Sequence, residues 1–146
     1  MSSDHNSFVG TWRLVTFKFR KADGNVIYPF GAEARGTIIY TESGRYSAQL
    51  MRKGRPKLKS GDQMKGTAEE IQASFKGCIS YFGTYKIDHE RGVIVHHVEG
   101  SLLPNMEGTE QKRYFELSKN CLQLKTPPTR LNGEKAIGIL QWERIE

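Results

Sequence analysis

Tyr81-Phe82-Gly83-Thr84-Tyr85, Val93-Ile94-Val95-His96-His97-Val98-Glu99-Gly100-Ser101 and Gln111-Lys112-Arg113-Tyr114-Phe115 follow one another within residues 81–115. Aromatic and β-branched side chains dominate all three segments, which marks them as strands. Between them lie Asp88-His89-Glu90-Arg91-Gly92 and a loop with Pro104-Asn105 and Gly108, both rich in turn formers. Connections this short join antiparallel strands, because a parallel pair needs a crossover of a dozen residues or more. Strands that only build a core rarely carry two histidines, a glutamate and an arginine. Part of any functional site is therefore expected here.

Toward the C-terminus, Glu110–Leu117 and Cys121–Thr126 read as a hairpin around Ser118-Lys119-Asn120. Pro127-Pro128 breaks it, Asn132-Gly133 turns the chain, and Lys135–Arg144 is the last strand. Upstream, Thr67-Ala68-Glu69-Glu70 has the form of a capping box. Ile71, Phe75, Cys78, Ile79 and Phe82 follow on one helical stripe, which predicts one amphipathic helix from about residue 68 to about residue 80. Gly36–Tyr40 and Arg45–Met51 form a hairpin about Glu42-Ser43-Gly44, and Val26–Tyr28 is a short strand ended by Pro29. The first strand, Phe8–Arg20, alternates imperfectly. Trp12 and Leu14 share one face while Val15, Phe17 and Phe19 share the other, as in a strand that bends or is covered on both sides.

The fold is thus mainly β, with about eight antiparallel strands and one helix. One helix cannot cover so many strands. Closing the sheet on itself hides the apolar face and removes the edges, which predicts a single up-and-down barrel over residues 1–146.

Composition narrows the functional classes. No apolar run is long enough to span a bilayer, and Met1–Asn6 has no secretory pattern, so a cytoplasmic protein without stable membrane insertion is expected. Cys78 and Cys121 lie far apart, outside any Cys-x-x-Cys pair, and read as small buried hydrophobes. The net charge is +6, and Arg52–Lys59 alone contributes five basic residues and no acid. This run has no interleaved aromatics, so nucleic acid is not expected as a partner. It is expected to be a solvated loop, or else one that attracts an anionic ligand or membrane surface.

Two further observations carry a resemblance. Gly10-Thr11-Trp12 on the first strand, with Arg144 near the end of the last, resembles the lipocalin/calycin signature. There the tryptophan closes one end of the barrel and the arginine packs across it, a cation–π contact worth ~0.5–2 kcal/mol. Tyr28-Pro29-Phe30-Gly31, Ser47–Arg52, Tyr81–Tyr85, His96–Ser101 and Thr126-Pro127-Pro128 are similar to motifs of small stand-alone lipocalin-like domain proteins of bacteria and fungi. The resemblance implies a calycin-type barrel with an internal cavity. Distant lipocalin-like proteins include both carriers and enzymes that isomerise or cyclise natural products. The chain departs from secreted lipocalins in lacking a signal peptide and a disulfide pattern.

Interior positions alternate along barrel strands. Val93, Val95, His97 and Glu99 share one face, and Ile94, His96 and Val98 the other, so only one histidine can enter the cavity. Sequence does not decide which; His97 is preferred because Glu99 could orient its imidazole. Tyr46, Tyr81 and Tyr85 offer rings with a polar tip, Gln49 and Met51 suit a pocket wall, and Arg113 could clamp a carboxylate. Metal is not expected: adjacent strand histidines cannot easily share an ion, and His5 and His89 fall in a terminus and a turn. No P-loop, nucleophile elbow or dinucleotide fingerprint is present, and no cofactor is expected. The expected activity is binding of a small, largely apolar ligand with a polar or anionic group, by a monomer or homodimer. The alternative is a cofactor-independent isomerase or cyclase, with His97 or Glu99 as general base.

Overall fold

The computed structural model describes residues 7–146; His5 lies outside them. The strands are β1 (Gly10–Lys21), β2 (Val26–Ile27), β3 (Arg35–Tyr40), β4 (Arg45–Met51), β5 (Cys78–Asp88), β6 (Val93–Ser101), β7 (Glu110–Leu117), β8 (Cys121–Lys125), β9 (Thr129–Leu131) and β10 (Glu134–Arg144). Among the described residues one α-helix, α1 (Ala68–Lys76), stands between β4 and β5. Eight strands, β1, β3–β8 and β10, form an antiparallel ring that the β1–β10 pairing closes. The short β2 and β9 pair with the far ends of β1 and β10. In β9–β10 the two-residue Asn132-Gly133 turn has positive φ at both positions, the geometry that matches strand twist in a tight hairpin. Sequence reading finds this turn but not the strand before it.

A bulge explains the broken alternation of β1. The register with β10 slips between Leu14 and Thr16, leaving Val15 as the extra residue. Trp12, Leu14, Phe17 and Phe19 therefore all point inward. A second slip, between Phe82 and Gly83 on β5, leaves Glu99 of β6 extra. The strands approach so closely there that a Cβ on Gly83 would lie 1.9 Å from the His97 carbonyl oxygen.

The helix is shorter than the stripe predicts. The capping box forms, with Thr67 Oγ accepting from the Glu70 amide and Glu70 accepting from the Thr67 amide. Gly77 ends the helix, because glycine is costly in a helix interior. Cys78 then pairs with Met51, so Cys78, Ile79 and Phe82 belong to β5. Cys78 is half-buried and Cys121 is exposed, both as free thiols. Cys121 points outward because Leu122 and Leu124 take the inner face of β8.

One end of the barrel is packed shut. The Trp12 indole N–H donates to the Phe8 carbonyl at 2.9 Å, and the Phe8 ring meets Tyr40 and Phe115 edge-on. The Arg144 guanidinium lies 4.3 Å from the Trp12 ring centroid and donates to the carbonyls of Ser7, Val9 and Lys119. The contact is the cation–π pair that the first and last strands imply.

Candidate functional site

Above this closed half the barrel holds a cavity of about 640 Å³, within the range of small-molecule pockets. Its walls are alternate residues of the ring: Phe17 and Phe19 of β1, Ala48 and Leu50 of β4, Leu124 of β8 and Leu140 of β10. Phe75 of α1 and Leu102 and Leu103 of the loop after β6 line it at the surface, and they mark its mouth. Its polar groups are Ser80, Tyr81, Ser101, Gln111 and Arg113 from β5, β6 and β7, together with Lys76, Thr126, Thr129 and Arg130.

The floor is an aromatic cluster built around His96. This imidazole has no exposed surface. Its ring stacks on Tyr46 at 4.3 Å, Nε2 lies 2.7 Å from the Tyr40 hydroxyl and Nδ1 lies 3.5 Å from the Tyr81 hydroxyl. Burial, with the nearby Arg113 charge, holds its pKa well below the usual histidine value, so it is neutral at pH 7. Burial likewise pushes the Tyr40, Tyr46 and Tyr85 phenols upward, and they stay protonated. Tyr85 donates to the Thr41 carbonyl at 2.7 Å.

Arg113 is the half-buried charged group of the cavity wall; Lys76 and Arg130 also line it but are exposed. Its Nη1 donates to the backbone carbonyl of its neighbour Lys112 at 2.8 Å. No ion pair among the described residues includes it. A guanidinium inside a barrel without a carboxylate costs desolvation that is only partly recovered. The site thus combines a largely apolar chamber, a neutral hydroxyl-rich floor and a half-buried guanidinium in no ion pair among the described residues. Trp142 also lines the chamber, and its buried indole N–H has no acceptor in the described protein.

Of the residues expected at the site, Tyr81 and Arg113 line the cavity, and Tyr46 and Tyr85 lie in the floor beneath it. His97 and Glu99 do not enter. His96 takes the interior place, because Ile94, His96 and Val98 form the buried face of β6. Glu99 instead accepts from Arg45 Nη2 at 2.6 Å on the outer surface. The expected orientation of His97 by Glu99 is thereby corrected, and with it the placing of either residue as a base in the cavity. Gln49 and Met51 are corrected too. Tyr46, Ala48 and Leu50 fill the inner face of β4, which leaves Gln49 to bond Ser47 Oγ at 2.8 Å on the outside. Met51 receives Arg55.

Sequence reasoning missed His96 as the interior histidine and Ser101 as a lining residue. Ser101 shares a parity with His97, and only the bulge at Glu99 turns it inward. Gln111 carried a signal: its strand alternates with Lys112, Tyr114 and Glu116, which face solvent. Among the described residues no three His, Cys, Asp or Glu side chains converge as a metal site would require. No described helix is long and apolar enough to cross a membrane.

The chain is similar to several known proteins. A solved lipocalin-like protein from Bacteroides uniformis is 18% identical, with 95% of this chain and 99% of that chain covered at a TM-score of 0.43. The 4'-hydroxy-3'-methoxypropiophenone carrier protein of Aspergillus oryzae is 28% identical over 106 residues, 68% of this chain and 96% of that protein. A family model described as a lipocalin-like domain matches residues 9–145. With every described strand inside that match, the chain belongs to the lipocalin-like domain family.

Proposed function

We propose that this barrel binds a small, largely apolar molecule bearing one polar or anionic group, held with that group toward Arg113. The half-buried Arg113 guanidinium, which joins no ion pair among the described residues and sits in a largely apolar chamber, carries the reading. A ligand carboxylate or other oxyanion would supply the partner that the protein does not. The hydroxyls of the floor stay neutral and offer donors rather than a competing charge. The Aspergillus relative supports the reading, since the molecule in its name is a small aromatic ketone with a phenol, apolar in body and polar at its edges.

Two fluorescent probes with a common skeleton test it. One, 8-anilinonaphthalene-1-sulfonate, is anionic; the other, N-phenyl-1-naphthylamine, is neutral. Both are expected to bind. Arg113→Met removes a charge-assisted contact of about 1.5–3 kcal/mol. The sulfonate should therefore bind roughly 10- to 150-fold more weakly, while the neutral probe keeps its affinity. Equal losses for both probes, or no binding of either, would sink the proposal.

A further inference from the structure

The mouth of the barrel brings two features together. Its rim is apolar: Phe75, Leu102 and Leu103 line the cavity and are also exposed, and Ile71 is exposed one turn back on α1; Met64, in the segment that leads into α1, is 87% exposed. The same region is basic. Residues 52–76 hold seven basic and three acidic side chains, four of the six net positive charges of the whole chain.

The structure ties the basic segment to the mouth. The Arg52 amide donates to the Gly77 carbonyl at 2.8 Å, Arg55 Nη1 donates to the Ser74 carbonyl, and the Lys59 amide donates to Glu70. Arg52 also reaches the carbonyl of Pro29, a residue of the cavity wall. This sets Lys57 and Lys59, both exposed, beside α1. Glu70, an acid in the region, is engaged by the amides of Thr67 and Lys59, which lower its pKa.

From this pairing of exposed apolar side chains with clustered cations we infer that the open end docks on an anionic lipid bilayer, where ligand is exchanged. The apolar rim enters the interfacial layer and the lysines face lipid phosphates, the arrangement by which amphipathic surfaces bind membranes. The bilayer is favoured over nucleic acid because the apolar side chains are mostly aliphatic: Phe75 alone has a π-face on which a base could stack, whereas Ile71, Leu102, Leu103 and Met64 have none. A ligand leaving the cavity there passes into lipid without crossing water. Only this exchange rests on the binding reading; docking does not.

Co-sedimentation of ligand-free protein with vesicles separates the two. Binding is expected to vesicles of phosphatidylcholine with phosphatidylglycerol and not to phosphatidylcholine alone. Each basic residue near such a surface adds about fivefold to partitioning, so Lys57→Glu/Lys59→Glu should weaken it by roughly 30-fold or more. Neither lysine touches the cavity, and neutral-probe affinity in the double variant should equal that of the wild type. Met64→Ser should weaken vesicle binding several-fold without altering its salt dependence. Equal partitioning to both vesicle types, an unchanged double variant, or equal affinity for a single-stranded oligothymidine would overturn the inference.

Discussion

Protonation of His96 should be the main source of a stability loss specific to mildly acid pH. In the folded barrel the imidazole is fully buried, bonded by Tyr40 and stacked on Tyr46. Its folded pKa lies well below the ordinary value, chiefly through burial and then through Arg113. In the unfolded chain the same group titrates near 6.5. Below that pH the unfolded state therefore binds the extra proton, and stability rises with pH across the window. Between pH 7 and pH 5.5 the linkage amounts to about 1.2 kcal/mol, approaching about 1.4 kcal/mol per unit at the acid end. His96→Gln removes the titration and keeps a polar side chain. Urea unfolding of both proteins at the two pH values isolates the term: the wild type should lose about 1.2 kcal/mol more than the variant. Equal losses would mean that His96 is protonated in the native state, and the neutral floor would have to be abandoned.

Other expectations follow from single contacts. Arg144→Met forfeits the Trp12 contact and three carbonyl acceptors; a cost of about 3 kcal/mol should appear as a lowered Tm. Gly83→Ala drives a Cβ into the His97 carbonyl, and a loss of more than about 3 kcal/mol is expected, seen as loss of the cooperative unfolding transition near room temperature. His97→Ala and Glu99→Gln alter only the outer face, so affinity for both naphthylamine probes should stay within twofold in fluorescence titrations.

Much of the barrel was legible because β-branched and aromatic runs alternate with turn residues, and because Trp12 and Arg144 sit at the two ends of the strand series. The errors have physical sources. The helical stripe continued past Gly77 because the spacing of Cys78, Ile79 and Phe82 fits a helix; pairing of Cys78 with Met51 overrides it. Bulges at Val15 and Glu99 are invisible to a strict period of two. At the site, parity separated His96 from His97 but could not orient them, since both faces of β6 carry branched apolar residues. The neighbouring strand was less ambiguous. His96 pairs with Gln111, opposite the solvated Lys112 and Glu116 side of β7. The loop from Leu102 to Thr109 hid that register from a sequence reading.

The seam between β1 and β10 sets the order in which the molecule can be completed. Every other ring contact joins strands close in the sequence, whereas here Trp12 meets Arg144 and the Thr11 amide donates to the Glu146 carbonyl. Contacts of such separation form late, after the largest loop-closure cost. A nascent chain must therefore wait for its final strand to emerge before the tube shuts. Until then it is an open sheet, with the cavity lining bared along two unpaired edges. That interval, more than the finished barrel, is when the protein is vulnerable to aggregation.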